Sequence, residues 1–147
     1  MIQIVNGVAE MHTKNTSYVL STCRAGLVEC LHYGPRIAVH NAAPLVMKAG
    51  AGYGGDVVRS PEQVALGNLR LELSAVNRGD FRQGALRAEM PHGGGTSDFA
   101  FVGAEVLERS AAPGGGMPQA HGGSKTLALN LAEPGGLAVE LFYTVYY

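Results

Sequence analysis

Tryptophan is absent from the 147 residues, and aromatic side chains make up only 7% of them. That poverty weighs against a stand-alone carbohydrate-binding module, because such modules present aromatic platforms to sugars. Charge is equally sparse, at 16% of residues with eleven basic against twelve acidic and a net charge of −1. No electrostatic footprint for nucleic acid or an anionic membrane is visible. Only two cysteines occur, Cys23 and Cys30, too few for a disulfide-built scaffold, and they read as free, partly buried thiols. No apolar run approaches the ~20 residues of a membrane-spanning helix, and no charged-then-apolar leader opens the chain. A cytoplasmic protein is expected. For the same reason the sequon Asn15-Thr16-Ser17 is set aside.

What is present is strand-like alternation. Hydrophobic content of 46% over 147 residues suffices for one domain with a real core. The organising stretch is Leu69 to Met90. Leu69, Leu71 and Leu73 alternate with Arg70, Glu72 and Ser74, and Leu86, Ala88 and Met90 with Arg87 and Glu89. This is the period of two half-buried strands. It predicts strands joined through the corner Asn77 to Arg82, with Glu72 and Glu89 facing solvent. Gly79 lets the chain reverse there, and Asp80 can bond backbone amides.

Upstream, Asn6-Gly7 between Ile2–Val5 and Val8–His12 is a strong hairpin signal. Tyr18 to Ser21 and Leu27 to Tyr33 read as two further strands divided at Gly26, and Ile37 to His40 as a continuation. From 41 to 60 the pattern dissolves into a long loop. Downstream, Ser97 to Phe101 predicts a strand extending towards Arg109, and 111 to 124 is Gly- and Pro-rich connection. Leu127, Leu129 and Leu131, then Leu137, Val139, Leu141, Tyr143 and Val145, predict a hairpin across Pro134-Gly135-Gly136. No window sustains a helical stripe. The fold class is all-β, an antiparallel β-sandwich over residues 1–147. The chain stops at Tyr147 inside an apolar strand bearing Phe142, Tyr143 and Tyr146. Either further polypeptide or a second copy is expected to cover that strand, as in a homo-oligomer.

Chemistry-bearing motifs are weak. Gly50-Ala51-Gly52-Tyr53-Gly54-Gly55 spells a dinucleotide fingerprint, but Pro44 before it and Pro61 after it deny it the strand and helix it needs. Five scattered histidines show no ligand spacing, so no metal and no cofactor are expected. Glu72, Asp80, Glu89 and Asp98 supply carboxylates, yet no pair at a spacing that would flank a glycosidic bond. Arg78-Gly79-Asp80 matches an adhesion tripeptide by coincidence.

The order of motifs carries more. Asn15-Thr16-Ser17-Tyr18, Gly26 to Ile37 with Tyr33-Gly34-Pro35-Arg36, Gly79-Asp80-Phe81-Arg82, and the final Leu137 to Val145 resemble the N-terminal region of microbial α-galactosidases of glycoside hydrolase family 36. The resemblance implies the first part of a galactose-mutarotase-like β-supersandwich that precedes a catalytic (β/α)₈ barrel. That barrel would supply both catalytic aspartates of a retaining enzyme acting on terminal α-galactosides. The partners implied are the chain's own barrel, further copies and a galactoside. Gly79, Asp80, Phe81 and Arg82 lie in a family motif and are assigned corner-fixing or interface duties. Lys48, Tyr53 and Asp56 fall in the loop that the resemblance places near the sugar site, and Phe142, Tyr143 and Tyr146 form the candidate interface strand.

Overall fold

The computed structural model describes residues 1–46, 58–59, 64–76, 79–80, 83–89, 93–95, 97–110, 116 and 120–146. Its principal elements are two antiparallel sheets. The first contains β1 (Ile2–Val5), β2 (Val8–His12), β3 (Thr16–Arg24) and β4 (Leu27–Pro35), in the order of the chain. Two minor pairs follow, β5 (Val58–Arg59) with β6 (Val64–Ala65), and β7 (Ala75–Val76) with β8 (Gly79–Asp80). The second large sheet places β10 (Ser124–Ala132) between β9 (Ala100–Leu107) and β11 (Ala138–Tyr146). Among the described residues the only helical turns are 3₁₀, at Ala43–Leu45 and Leu66–Asn68.

The turns follow from their residues. Asn6 and Gly7 both hold positive φ, 50° and 73°, the mirror-image turn whose twist matches the strands it joins. Ala25 and Gly26 repeat that geometry at 50° and 67° between β3 and β4. For Ala25 the left-handed conformation costs about 1 kcal/mol, a strain the flanking ladder holds in place. At the same turn the Gly26 carbonyl accepts the Phe101 amide at 2.8 Å, tying the first sheet to β9.

The core lies between the two sheets. Ile2, Ala9, Met11, Leu20 and Val28 from the first join Leu127, Leu129, Leu131 and Val145 from the second, with Phe99. On β10 the predicted leucines sit in register with β11 and β9: Leu127 with Tyr143 and Val106, Leu129 with Leu141 and Ala104, Leu131 with Val139 and Phe101. The period of two therefore sends the whole set inward, and each fully buried leucine contributes about 2 kcal/mol of transfer free energy. β9 begins later than expected and carries an irregularity at Val102, where Asn130 opposes Gly103 but Leu131 opposes Phe101.

Three expectations are corrected. Leu69 to Ser74 is no full strand: only Leu71 bridges Glu29, with Cys30 N donating to Arg70 O at 2.8 Å and Glu72 N to Val28 O at 2.9 Å. Nor do the described residues Leu86 to Glu89 pair antiparallel with it, since Leu86 makes a single parallel bridge to Ala75; Met90 lies outside the described residues. Alternation records which side chains avoid water, not where backbone bonds go, and these segments edge existing strands instead of forming their own hairpin. Ile37 to His40 is irregular because the Ser17 hydroxyl accepts the Ile37 amide at 3.0 Å, replacing a ladder partner.

Candidate functional site

The densest polar arrangement joins the two sheets through Glu72. Glu72 rides on the short segment that edges β4, Tyr18 projects from β3 and Tyr143 from β11. The Tyr18 hydroxyl lies 2.6 and 2.5 Å from the two Glu72 oxygens, and the Tyr143 hydroxyl donates to Oε1 at 2.7 Å. Tyr18 also stands edge-on to Tyr33 at 5.2 Å and to Tyr143 at 5.8 Å between ring centroids. Such T-shaped pairs add about 1 kcal/mol each beyond burial. Burial, then the hydrogen bond and charge of Glu72, push both phenols above their ordinary ionisation range. Burial first and Glu72 second also push the Cys30 thiol up, with Arg70 opposing. Arg70 in turn donates to the carbonyls of Leu31 and Leu45, fixing the segment that carries Glu72. With two phenols on its oxygens, this carboxylate is committed to holding the sandwich closed.

A second network lies on the outer face of the first sheet. His12 Nδ1 is 2.8 Å from Ser17 Oγ, His12 Nε2 is 3.0 Å from Glu10 Oε2, and Gln3 donates to that same oxygen at 3.1 Å. The tautomer with its proton on Nε2 satisfies every group, because Ser17 then donates to Nδ1 while accepting the Ile37 amide. Serine, histidine and carboxylate are thus aligned, but Ser17 is wholly buried. A nucleophile must reach its substrate, so the network is structural. A cleft of about 460 Å³ beside it is lined by Gln3, Glu10, His12, Ile37 and His40 among others. Among the described residues no group of His, Cys, Asp and Glu could hold a metal ion, and no helix is long and apolar enough to cross a membrane.

The sequence-predicted residues are dispersed. Gly79 and Asp80 form β8, where Asp80 pairs in parallel with Val76. Phe81, Arg82, Lys48, Tyr53 and Asp56 lie outside the described residues. On β11, Phe142 is half exposed on the outer face, while Tyr143 packs against the core. Tyr146 pairs its hydroxyl with Ser110 at 3.0 Å. Sequence reasoning missed Glu72, which it faced to solvent. Its partners are 54 and 71 residues away, and no local pattern signals them.

Residues 26–147 match the glycosyl hydrolase family 36 N-terminal domain. The chain belongs to that family. Solved structures agree on the fold of this family 36 domain. The galactosidase domain of the alpha-galactosidase-sucrose kinase AgaSK superposes with a TM-score of 0.83 at 22% identity, over 99% of this chain and 21% of that one. The alpha-galactosidase from Lactobacillus brevis gives 0.80 at 20% identity, over 95% and 19%. Alpha-galactosidase AgaB from Geobacillus stearothermophilus gives 0.79 at 20%, over 99% and 20%. The chain thus spans about a fifth of the length of the solved enzymes it matches. No curated protein sequence matches it.

Proposed function

We propose that this chain is the non-catalytic N-terminal β-sandwich portion of an α-galactosidase, supporting a catalytic barrel and building the oligomer. The observation that carries the reading is the superposition of 99% of this chain on about a fifth of the galactosidase domain of AgaSK, together with membership of the family 36 N-terminal domain. In this reading hydrolysis of terminal α-galactosides belongs to polypeptide outside these 147 residues. The Glu72 clamp gives the domain the rigidity that a supporting role requires, because it fixes one sheet against the other. The test is a chromogenic α-galactoside assay on the 147-residue chain, purified from a host lacking α-galactosidase. No turnover is expected. Turnover above the buffer rate, co-purifying with the chain and abolished on its denaturation, would overturn the non-catalytic assignment.

A further inference from the structure

One cleft, of about 350 Å³, draws its lining from both sheets: Thr13 and Lys14 from the turn between β2 and β3, Arg36 from just past β4, Lys125 from β10, with Met1 and His12. Three of these six are lysine or arginine, in a chain with eleven such residues among 147. Composition does not account for that convergence. None of the six is acidic. Glu10 is engaged by His12 and Gln3, and Glu108 bonds Lys125 Nζ at 2.6 Å while remaining 72% exposed, a bridge that solvent weakens. Arg36 is held in place, because Nη1 donates to the Thr13 carbonyl and its backbone amide to the Asn15 carbonyl. A guanidinium has five N–H donors, so that bond orients the group without exhausting it. His12 has no donor to spare, since with its proton on Nε2 it donates to Glu10 and accepts Ser17 on Nδ1. The Met1 amine donates to the His12 carbonyl at 2.6 Å, and burial, then the charges of Arg36 and Lys125, lower it below its ordinary range. Attraction for an anion therefore rests on the three side chains.

We propose that this cleft binds a phosphate group, free or carried by a small phosphomonoester. Such a group matches the donor set in charge and shape, with about −1.5 to −2 charges at pH 7 and three acceptor oxygens for one forked guanidinium and two ammonium groups. A carboxylate brings less charge and one oxygen fewer. Nucleic acid fits worse, because the chain as a whole carries −1 and the cations share one cleft instead of forming a stripe. Space for the rest of a phosphomonoester adjoins the cations: the neighbouring cleft of about 460 Å³ shares Met1, His12 and Arg36 and adds Gln3 and His40. Lys125 belongs to the second sheet, whereas Lys14 and Arg36 flank strands of the first. A bound phosphate would thus tie the sheets together by charge. This site stands apart from the scaffolding role and holds whether or not the chain is catalytic.

The Lys125–Glu108 bridge gives a prediction with a sign. Glu108→Gln removes a carboxylate that competes for Lys125 and should tighten phosphate binding, whereas Lys125→Gln and Lys14→Gln should each weaken it. Each shift is expected to be about threefold to fivefold in the dissociation constant, as partly exposed ion pairs allow. If the bridge served only the fold, losing either partner would have the same consequence. Arg36→Lys keeps the charge but loses the fork, and should weaken binding less than Arg36→Gln does. The measurement is a ¹⁵N chemical-shift titration of the 147-residue chain and these variants with inorganic phosphate, at ionic strength held constant with sodium chloride. Saturable shifts are expected at Thr13, Lys14, Arg36 and Lys125, with a dissociation constant of about 1 mM. Absent or unsaturable shifts overturn the proposal, as do shifts that chloride alone reproduces, or Glu108→Gln and Lys125→Gln acting alike. Repeating the titration with a hexose monophosphate separates the sources: tighter binding than inorganic phosphate assigns the phosphomonoester, and weaker binding assigns the free ion.

Discussion

On the outer face of the β1–β4 sheet, Val19 is wholly buried and Glu29 keeps 2% exposure, whereas on the outer face of β9–β10–β11, Val102 is 67% and Phe142 50% exposed. The two sheets share one core and differ in what lies on their backs. Described residues after β4 contribute to the back of the first: Ile37 bonds Ser17 and Arg70 reaches the Leu31 carbonyl. The covered face can therefore carry polar groups that would be costly if unpaired: Glu10 with His12, and Glu29 held by two nitrogens of Arg24 at 2.5 and 2.8 Å. The open face keeps its carboxylates Glu105 and Glu140 exposed, while Ala128 is buried there between the cross-strand neighbours Phe142 and Glu105, and buried Thr126 bonds Thr144 and the Arg109 carbonyl. Cover, more than strand sequence, decides which polar groups a sheet can tolerate.

The largest effect should come from the shared interior. Leu129→Ala removes a fully buried side chain from the middle of β10 and should cost about 3–4 kcal/mol, read as a lower urea midpoint at unchanged slope. Arg24→Ala on the covered face should cost about 3 kcal/mol by leaving Glu29 buried without its cation, while replacing both partners with leucine should recover most of that loss. A double variant as unstable as the single one would contradict this account of the covered face. Between the sheets, Tyr143→Phe deletes one donor to Glu72 and should cost about 1–2 kcal/mol.

That clamp also sets a pH dependence. Both phenols ionise later in the folded protein than in the unfolded chain. Their contribution is whole below the ordinary phenol value of about 10 and is lost as pH rises through the raised folded values. Alkaline unfolding should therefore set in above about pH 10 and be less steep when Tyr18 and Tyr143 are both phenylalanine. The smallest effect belongs to the open face, where Val102→Thr should change stability by no more than about 0.5 kcal/mol. A larger loss would show that this face is covered in solution.

Strand existence was legible where one face was buried by regular partners. Asn6-Gly7, the division at Gly26 and the leucines of β10 announce hairpins whose chemistry is local. The family, too, was legible in motif order. What escaped was set by distant pairings. The alternation from Leu69 to Ser74 is real, but β4 offers it only one bridge, and Glu72 turns towards tyrosines from two other strands. Its role depends on sheet-to-sheet closure, which no window along the chain encodes. For the same reason Tyr143 reads as interface or core equally well until its hydroxyl is seen on Glu72; Tyr143→Lys should thus unfold the domain rather than merely loosen an interface.

Strand order also carries a kinetic consequence. In each large sheet every ladder joins neighbours along the chain, β1 to β2 to β3 to β4, and β9 to β10 to β11. Each meander can zip from its own turns at low loop-closure cost, while contacts such as Tyr143 to Glu72 must wait until 71 residues have been gathered. Folding should therefore be limited by docking of two preformed meanders, with the clamp consolidating after the barrier. Tyr143→Phe should then accelerate unfolding and leave the refolding rate nearly untouched.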